Sequence, residues 1–220
     1  MRETDAWLLE GRPPRAVFLP TAAAEEGEER VDYWLDLGTA HYESMGVEPV
    51  PLRVLTRDDA DDEAMAAAIE GAGLVYLSGG DPGYLAETLR GTAVWRAIVA
   101  AHENDVAVAG CSAGACALTA IANRVRRRAG EPGPGGGKGL ELVPGMVVIP
   151  HFDRIEAWAP GIVDNTLAAA PAGSTVIGID EETSLCGGPQ SFFVSGQKSV
   201  WVIDADGGRH RRKAGDSLEL

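Results

Sequence analysis

Short apolar runs alternate with helix-length segments along the first two thirds of this 220-residue chain. Each run is bounded by Gly or Pro, which is typical of strands in a sheet that is covered on both faces. Strands that alternate with helices form parallel βαβ units. The predicted strands are residues 16–19, 47–52, 73–77, 106–109, 146–149, 175–179, 192–194 and 200–203.

The segments between these strands carry helical patterns, and the predicted helices are residues 33–45, 58–70, 84–90, 92–104 and 113–123. The last third is richer in strands, which favours an antiparallel edge or hairpin. The glycine-rich segment 129–139 predicts a surface loop, and the charged tail 209–220 is expected to be frayed. The sequence thus predicts an α/β protein, residues 1–220 forming a single domain. We expect one doubly wound, mostly parallel sheet with helices on both faces and a strand-rich antiparallel C-terminal edge.

Charge and composition limit the partners that the chain can have. The formal net charge is −14, and so acidic a surface repels phosphate backbones and anionic lipids, which makes nucleic acids and membranes poor partners. Three cysteines without a CxxC pair fit a reducing compartment. We see neither the roughly 7–15-residue apolar core of a signal peptide nor the about 20 apolar residues of a spanning helix. These features predict a cytoplasmic protein.

The segment 106–118, VAVAGCSAGACAL, carries the strongest chemical signal. A Gly-x-Ser-x-Gly pattern between a strand and a helix is the nucleophile elbow of serine hydrolases. Ser112 would sit at a sharp turn, its hydroxyl projecting from the carboxyl edge of the sheet. Gly110 and Gly114 have no Cβ, so strand and helix can approach closely there. Cys111 and Cys116 are rival nucleophiles that we interpret as small buried residues.

A second glycine pair follows the predicted strand 73–77 in the sequence SGGDP. Backbone amides of Gly80 and Ala113 would together make a two-donor oxyanion hole, although the same residues also fit a simple βα turn. Asp81 would cap the helix that follows.

A serine nucleophile also needs a base, because its hydroxyl is unreactive near neutral pH. Of four histidines, only His151 follows a predicted strand end from which it could reach Ser112. The residues alone do not decide which acid orients the imidazole. Asp153 is close in sequence, and three carboxylates follow the strand 175–179, of which we prefer the middle one. These three are Asp180, Glu181 and Glu182.

Six segments, in order along nearly the whole chain, resemble the peptidase E and cyanophycinase family of serine peptidases. The resemblance implies a class I glutamine-amidotransferase-like fold, a Ser-His-acid hydrolase with Ser112 and His151 at the catalytic positions, and an oxyanion hole from Gly80 and Ala113. Separately from the resemblance, Asp81, Asp153 and Arg154 are candidate substrate-binding residues. The segments are LPTA (19–22), LSGGD (77–81), AGCSAGA (109–115), GLELVPG (139–145), PHFD (150–153) and GIDEET (178–183).

The chain departs from both branches of that family. The aspartyl dipeptidase branch takes its third triad residue from an Asp about four helical turns after the serine, but here that stretch reads NRVRRR (123–128). The cyanophycinase branch has Gln before the histidine and an arginine-rich segment after it, where this chain has Pro150 and mainly Asp153, Arg154 and Glu156. The pattern therefore favours neither branch's substrate.

The favoured function is hydrolysis of a peptide or isopeptide bond in a small peptide by Ser112, His151 and an acid, with Glu181 preferred. Arg154 could bind a substrate carboxylate or be a surface charge. One alternative is a glutamine-amidotransferase-like enzyme, which normally needs a thiol at the elbow. Another is a non-catalytic ligand-binding relative. No metal or cofactor is expected, since His151 is the only histidine near the predicted cleft, and the family suggests a homodimer.

Overall fold

A computed structural model of the chain describes residues 2–124, 137–188 and 191–219. Four parallel strands form a sheet in the order β2-β1-β3-β4. Its register sets Leu19 beside Leu77 and Leu77 beside Gly110, so three strands end at one edge. The strands are β1 (Arg15–Leu19), β2 (Glu48–Pro51), β3 (Leu74–Leu77) and β4 (Ala107–Gly110).

Helices cover both faces of this sheet, as the apolar runs predict. On one face Leu19 and Leu77 pack with Leu85, and on the other Phe18 packs with Tyr42. The helices are α1 (Arg2–Leu8), α2 (Glu28–Ser44), α3 (Arg57–Ala60), α4 (Glu63–Ala67), α5 (Pro82–Leu89), α6 (Ala93–Glu103), α7 (Ala113–Ala117), α8 (Ile155–Trp158) and α9 (Ile162–Ala169), with a 3-10 helix at Thr21–Glu26.

Two further groups of strands follow. The first has the order β10-β9-β6-β5, in which only β5 and β6 are parallel, and the second has the antiparallel order β11-β8-β7. The expected antiparallel C-terminal strands are thus present, but the described ladders form three sheets rather than one. The strands are β5 (Met146–Pro150), β6 (Thr175–Ile179), β7 (Thr183–Gly187), β8 (Ser191–Gly196), β9 (Ser199–Ile203), β10 (Arg209–Lys213) and β11 (Ser217–Glu219).

Three local predictions need correction. The tail is not frayed along 209–219, because β10 pairs with β9 and β11 with β8. The predicted helix 58–70 divides into α3 and α4, since Asp62 caps a new helix through the Ala64 amide. The predicted helix 113–123 ends at Ala117, because the chain beyond it bonds to other segments: the Ala120 amide donates to Met146 O at 3.0 Å.

Only the end of the predicted glycine-rich loop falls in the described part of the chain. Residues 129–136 lie outside the described residues, whereas Gly137 accepts a hydrogen bond from the Ala122 amide at 2.9 Å. A Cβ on Gly139 would lie 1.8 Å from Thr119 O, so glycine is required for this approach. Among the described helices, none has both the length and the apolar character needed to cross a bilayer.

Candidate active site

The turn after β4 holds Ser112 in a backbone conformation that residues with a Cβ rarely adopt. Its φ is 49° and its ψ is −109°, and such strain typically costs about 1–3 kcal/mol. Close packing fixes the residues on either side. A Cβ on Gly110 would lie 2.4 Å from the carbonyl carbon of Gly114, and one on Gly114 would lie 2.2 Å from Leu77 O. Gly110 therefore lets β4 and α7 meet at the sharp angle of an elbow, and Gly114 lets α7 pack closely against β3.

The hydroxyl of Ser112 contacts His151. A serine that precedes a helix commonly caps it, but this side chain makes no capping bond. Its Oγ instead lies 2.9 Å from His151 Nε2. Sequence reasoning selected His151 from four histidines, and the other three have partners elsewhere: His41 with Asp5, His102 with Val106 O, and His210 with Asp204.

The parallel pairing of β5 with β6 brings Glu181 to His151. Pro150 at the end of β5 lies opposite Ile179 at the end of β6, so the residues that follow emerge side by side. His151 Nδ1 lies 3.4 Å from Glu181 Oε1, and Arg154 Nε lies 2.9 Å from Glu181 Oε2. Of the carboxylates considered from sequence, Glu181 is therefore the one that contacts the imidazole.

Asp153 contacts the backbone of Glu181. Its Oδ1 accepts a hydrogen bond from the Glu181 amide at 2.9 Å, and its Oδ2 accepts one from Lys198 Nζ at 2.7 Å. Partial desolvation raises the pKa of Asp153, but these hydrogen bonds outweigh it and hold the pKa below its ordinary value. The other candidate acids lie apart: Asp180 accepts from the Trp201 indole at 3.1 Å, and Glu182 is exposed.

The amides of Gly80 and Ala113 face no hydrogen-bond acceptor among the described residues. Gly80 has φ 144°, and a Cβ there would lie 2.2 Å from Ala22 O, so only glycine fits this loop. Asp81 is buried and caps α5 by accepting from the Tyr84 amide at 2.8 Å. Asp81 thus holds the start of the helix that follows the loop.

The two rival cysteines are poor nucleophiles. Burial raises the pKa of Cys111, whose thiol contacts the Tyr76 hydroxyl. Burial also raises the pKa of Cys116 to about 12, and its thiol donates to Val148 O at 3.5 Å. Because the thiolate is the reactive form, a raised pKa makes each of these thiols less reactive near neutral pH.

Two residues near the site escaped the sequence reasoning. Trp158 is 59% exposed, and its ring centre lies 5.5 Å from that of His151. The signal in the sequence that could have pointed to Trp158 is its position, seven residues after His151. Lys198 lies in the turn between β8 and β9, and no motif pointed to it. Within the described ranges no cluster of His, Cys, Asp and Glu has the geometry of a metal site.

The chain is similar to known peptidases in sequence and in fold. A family model described as Peptidase family S51 matches residues 6–191. A crystal structure of a peptidase from an acI-B1 Actinobacterium is 32% identical with a TM-score of 0.85, covering 100% of this chain and 91% of that chain. The crystal structure of a proposed peptidase E protein from Listeria monocytogenes EGD-e shares the fold at 16% identity with a TM-score of 0.57. The match covers 100% of this chain and 94% of that chain. No curated protein sequence matches the chain. The chain therefore belongs to peptidase family S51.

Proposed function

We propose that the chain is a serine peptidase that hydrolyses a peptide or isopeptide bond in a small peptide through Ser112, His151 and Glu181. The observation that carries this proposal is the distance of 2.9 Å between Ser112 Oγ and His151 Nε2. This is hydrogen-bonding distance, at which an imidazole can take the hydroxyl proton as the oxygen attacks. The strained turn at Ser112 supports the same role.

In the proposed reaction, Ser112 Oγ bonds to the carbonyl carbon of the substrate while its proton passes to His151 Nε2. The oxygen of the tetrahedral intermediate accepts hydrogen bonds from the Gly80 and Ala113 amides. The C–N bond then breaks, and Nε2 returns the proton to the departing amine. Water then attacks the acyl carbon as Nε2 takes its proton, the bond between that carbon and Oγ breaks, and Nε2 returns the proton to Oγ to restore Ser112.

Glu181 orients the imidazole in this scheme. With the ring proton on Nδ1, the carboxylate holds that proton and stabilises the imidazolium that forms. Its contact to Nδ1, at 3.4 Å, is longer than a strong charge-assisted hydrogen bond of about 2.7–2.9 Å. The carboxylate is shared with Arg154, which bonds its other oxygen at 2.9 Å.

Arg154 is the candidate for binding a substrate carboxylate. Its side chain is 58% exposed and uses Nε for Glu181, and a guanidinium has further N–H groups for a second anion. Asp153 and Asp81 are assigned positioning roles instead, because Asp153 binds the Glu181 amide and Asp81 caps α5. The substrate carboxylate proposed for Arg154 fits a small peptide, in which the terminal carboxylate lies close to the scissile bond.

The test is intact-mass spectrometry after incubation with a fluorophosphonate. One adduct on the native protein, absent from Ser112→Ala and much slower on His151→Ala, is the expected result. Cys111→Ala is the control and should label like the native protein, which separates serine from thiol chemistry. Absence of an adduct on folded native protein would overturn the proposal and favour the ligand-binding alternative.

A further inference from the structure

A cavity of about 220 Å³ lies between the helices α1 and α2 and the carboxyl ends of strands β1 and β3. An apolar cavity of about 150 Å³ is large enough to hold a benzene ring, so this one has room for a large side chain. It is below the roughly 300–1,000 Å³ of pockets for drug-sized ligands. Its walls are mainly apolar and include Phe18, Trp34, Leu37, Tyr42, Tyr76 and Ser78.

The cavity adjoins the proposed nucleophile. A Cβ on Gly79 would lie 3.1 Å from Trp34 Cζ2 and 3.4 Å from Ser112 Cβ. The position that a Gly79 side chain would take is thus close both to the Trp34 ring on the cavity wall and to the side chain of Ser112. Leu37 lines the cavity and is 46% exposed, so the cavity reaches the surface of the molecule.

Trp34 presents an unsatisfied donor on this wall. Its Nε1 is buried and has no hydrogen-bond partner among the described residues. Nε1 and Cζ2 are bonded to the same ring carbon, so the N–H lies on the indole edge that faces Gly79. A buried donor without a partner is costly. Because the nitrogen is buried, a carbonyl of a bound substrate would become its acceptor only after the indole ring moves.

Polar groups deeper in the cavity satisfy one another. His41 Nε2 lies 2.7 Å from Asp5 Oδ2. Desolvation raises the pKa of Asp5, although its contact with His41 opposes the shift. Since the carboxylate and the imidazole are already paired, the cavity offers no free charge to an ionic side chain. The remaining walls favour an uncharged one.

We infer that this cavity is the specificity pocket for the residue that donates the acyl group, and that it accepts a bulky uncharged side chain such as that of Phe or Leu. The inference rests on the proposed function, because the acyl residue stays bonded to Ser112 during the reaction. Its carbonyl oxygen points to the Gly80 amide, which brings its side chain to the Gly79 edge. A movement of the Trp34 ring on binding would let Nε1 donate to a carbonyl of the substrate backbone.

The test compares two N-acetylated aminoalkyl phosphonate diphenyl esters, one with a benzyl and one with a methyl side chain. The rate of adduct formation on Ser112 is followed by intact mass. A single methylene in a hydrophobic pocket changes discrimination by about 10- to 200-fold. We therefore expect the benzyl ester to react with the native protein at least about tenfold faster.

Leu37→Trp fills the cavity at the surface and should abolish this preference, whereas Asp36→Trp, at an exposed position on the same helix outside the cavity, should retain it. Trp34→Phe keeps the ring but removes the N–H, and should slow both esters by a similar factor. Equal rates for the two esters on native protein, or a preference that survives in Leu37→Trp, would overturn the inference. Fluorophosphonate labelling distinguishes the two failures: with labelling intact only the pocket is wrong, and without it the proposed function also fails.

Discussion

Ser112 and His151 hydrogen-bond at 2.9 Å while both hold a positive φ, 49° and 52° respectively. Each follows the carboxyl end of a strand, Ser112 two residues after β4 and His151 directly after β5. Positive φ is uncommon for residues with a Cβ, and the surrounding structure must hold such a conformation in place. Of the five non-glycine residues with a positive φ in the described part of the chain, two are therefore those whose side chains are proposed to react.

Two replacements of Ser112 should distinguish the effect of backbone strain on stability from the effect of the hydroxyl on the labelling reaction. Both Ser112→Ala and Ser112→Gly lack the hydroxyl and should form no fluorophosphonate adduct. Glycine relieves the strained turn but has greater freedom in the unfolded chain. We therefore expect Ser112→Gly to be more stable than Ser112→Ala by about 1 kcal/mol. Equilibrium unfolding in urea measures the difference, and a glycine variant less stable than the alanine variant would contradict a strained elbow.

Glu181→Gln should slow the reaction while leaving the fold intact. The amide cannot stabilise the imidazolium of His151 as a carboxylate does, so we expect a loss of between about 10² and 10⁴-fold in the labelling rate. Glu182→Gln is the matched control, because that exposed neighbour should label at the native rate. If the two variants label equally fast, Glu181 does not orient the base.

Asp153→Asn should lower stability in a pH-dependent way. Desolvation raises the pKa of Asp153, but hydrogen bonds from Lys198 and the Glu181 amide lower it further, so the folded pKa is below the unfolded value of about 3.9. A depressed carboxyl pKa stabilises the fold above the unfolded pKa, and the contribution is lost as pH falls through the folded pKa. In thermal unfolding, the Tm of the native protein should be higher than that of the variant from pH 5 to 7. The difference between the two Tm values should narrow below about pH 4. A gap that is constant down to pH 2 would argue against this network.

Gly80→Ala should impair the proposed oxyanion hole. The new Cβ would lie 2.2 Å from Ala22 O at a φ of 144°, so the loop must move. Loss of one oxyanion donor typically costs about 10²- to 10³-fold in rate. Gly91→Ala introduces a Cβ at φ 72° with nothing within 4 Å, and it serves as the control for backbone strain alone. A labelling rate that falls equally in both variants would remove Gly80 from the mechanism.

Local patterns were enough to predict the core of the sheet and the elbow. The strand at residues 175–179 was predicted at its observed bounds, and Gly110 and Gly114 mark the turn that places Ser112. These predictions succeed because apolar periodicity and glycine geometry act over a few residues. The helix after the elbow was predicted too long, since its end is decided by hydrogen bonds from Ala120 and Ala122 to distant segments.

The sequence by itself determined the parallel αβ order, the serine at the elbow and the histidine at the next strand end, because each depends on residues adjacent in the chain. Only the tertiary structure decided which acid meets His151. The pairing of Pro150 with Ile179 brings Glu181 to the imidazole, while Asp153 bonds to the Glu181 amide. The cavity beside Trp34 could not be predicted from the sequence either, since its walls come from two helices and two strands that meet only when the chain folds. Contacts between residues far apart in sequence depend on strand register and packing, which local patterns do not specify.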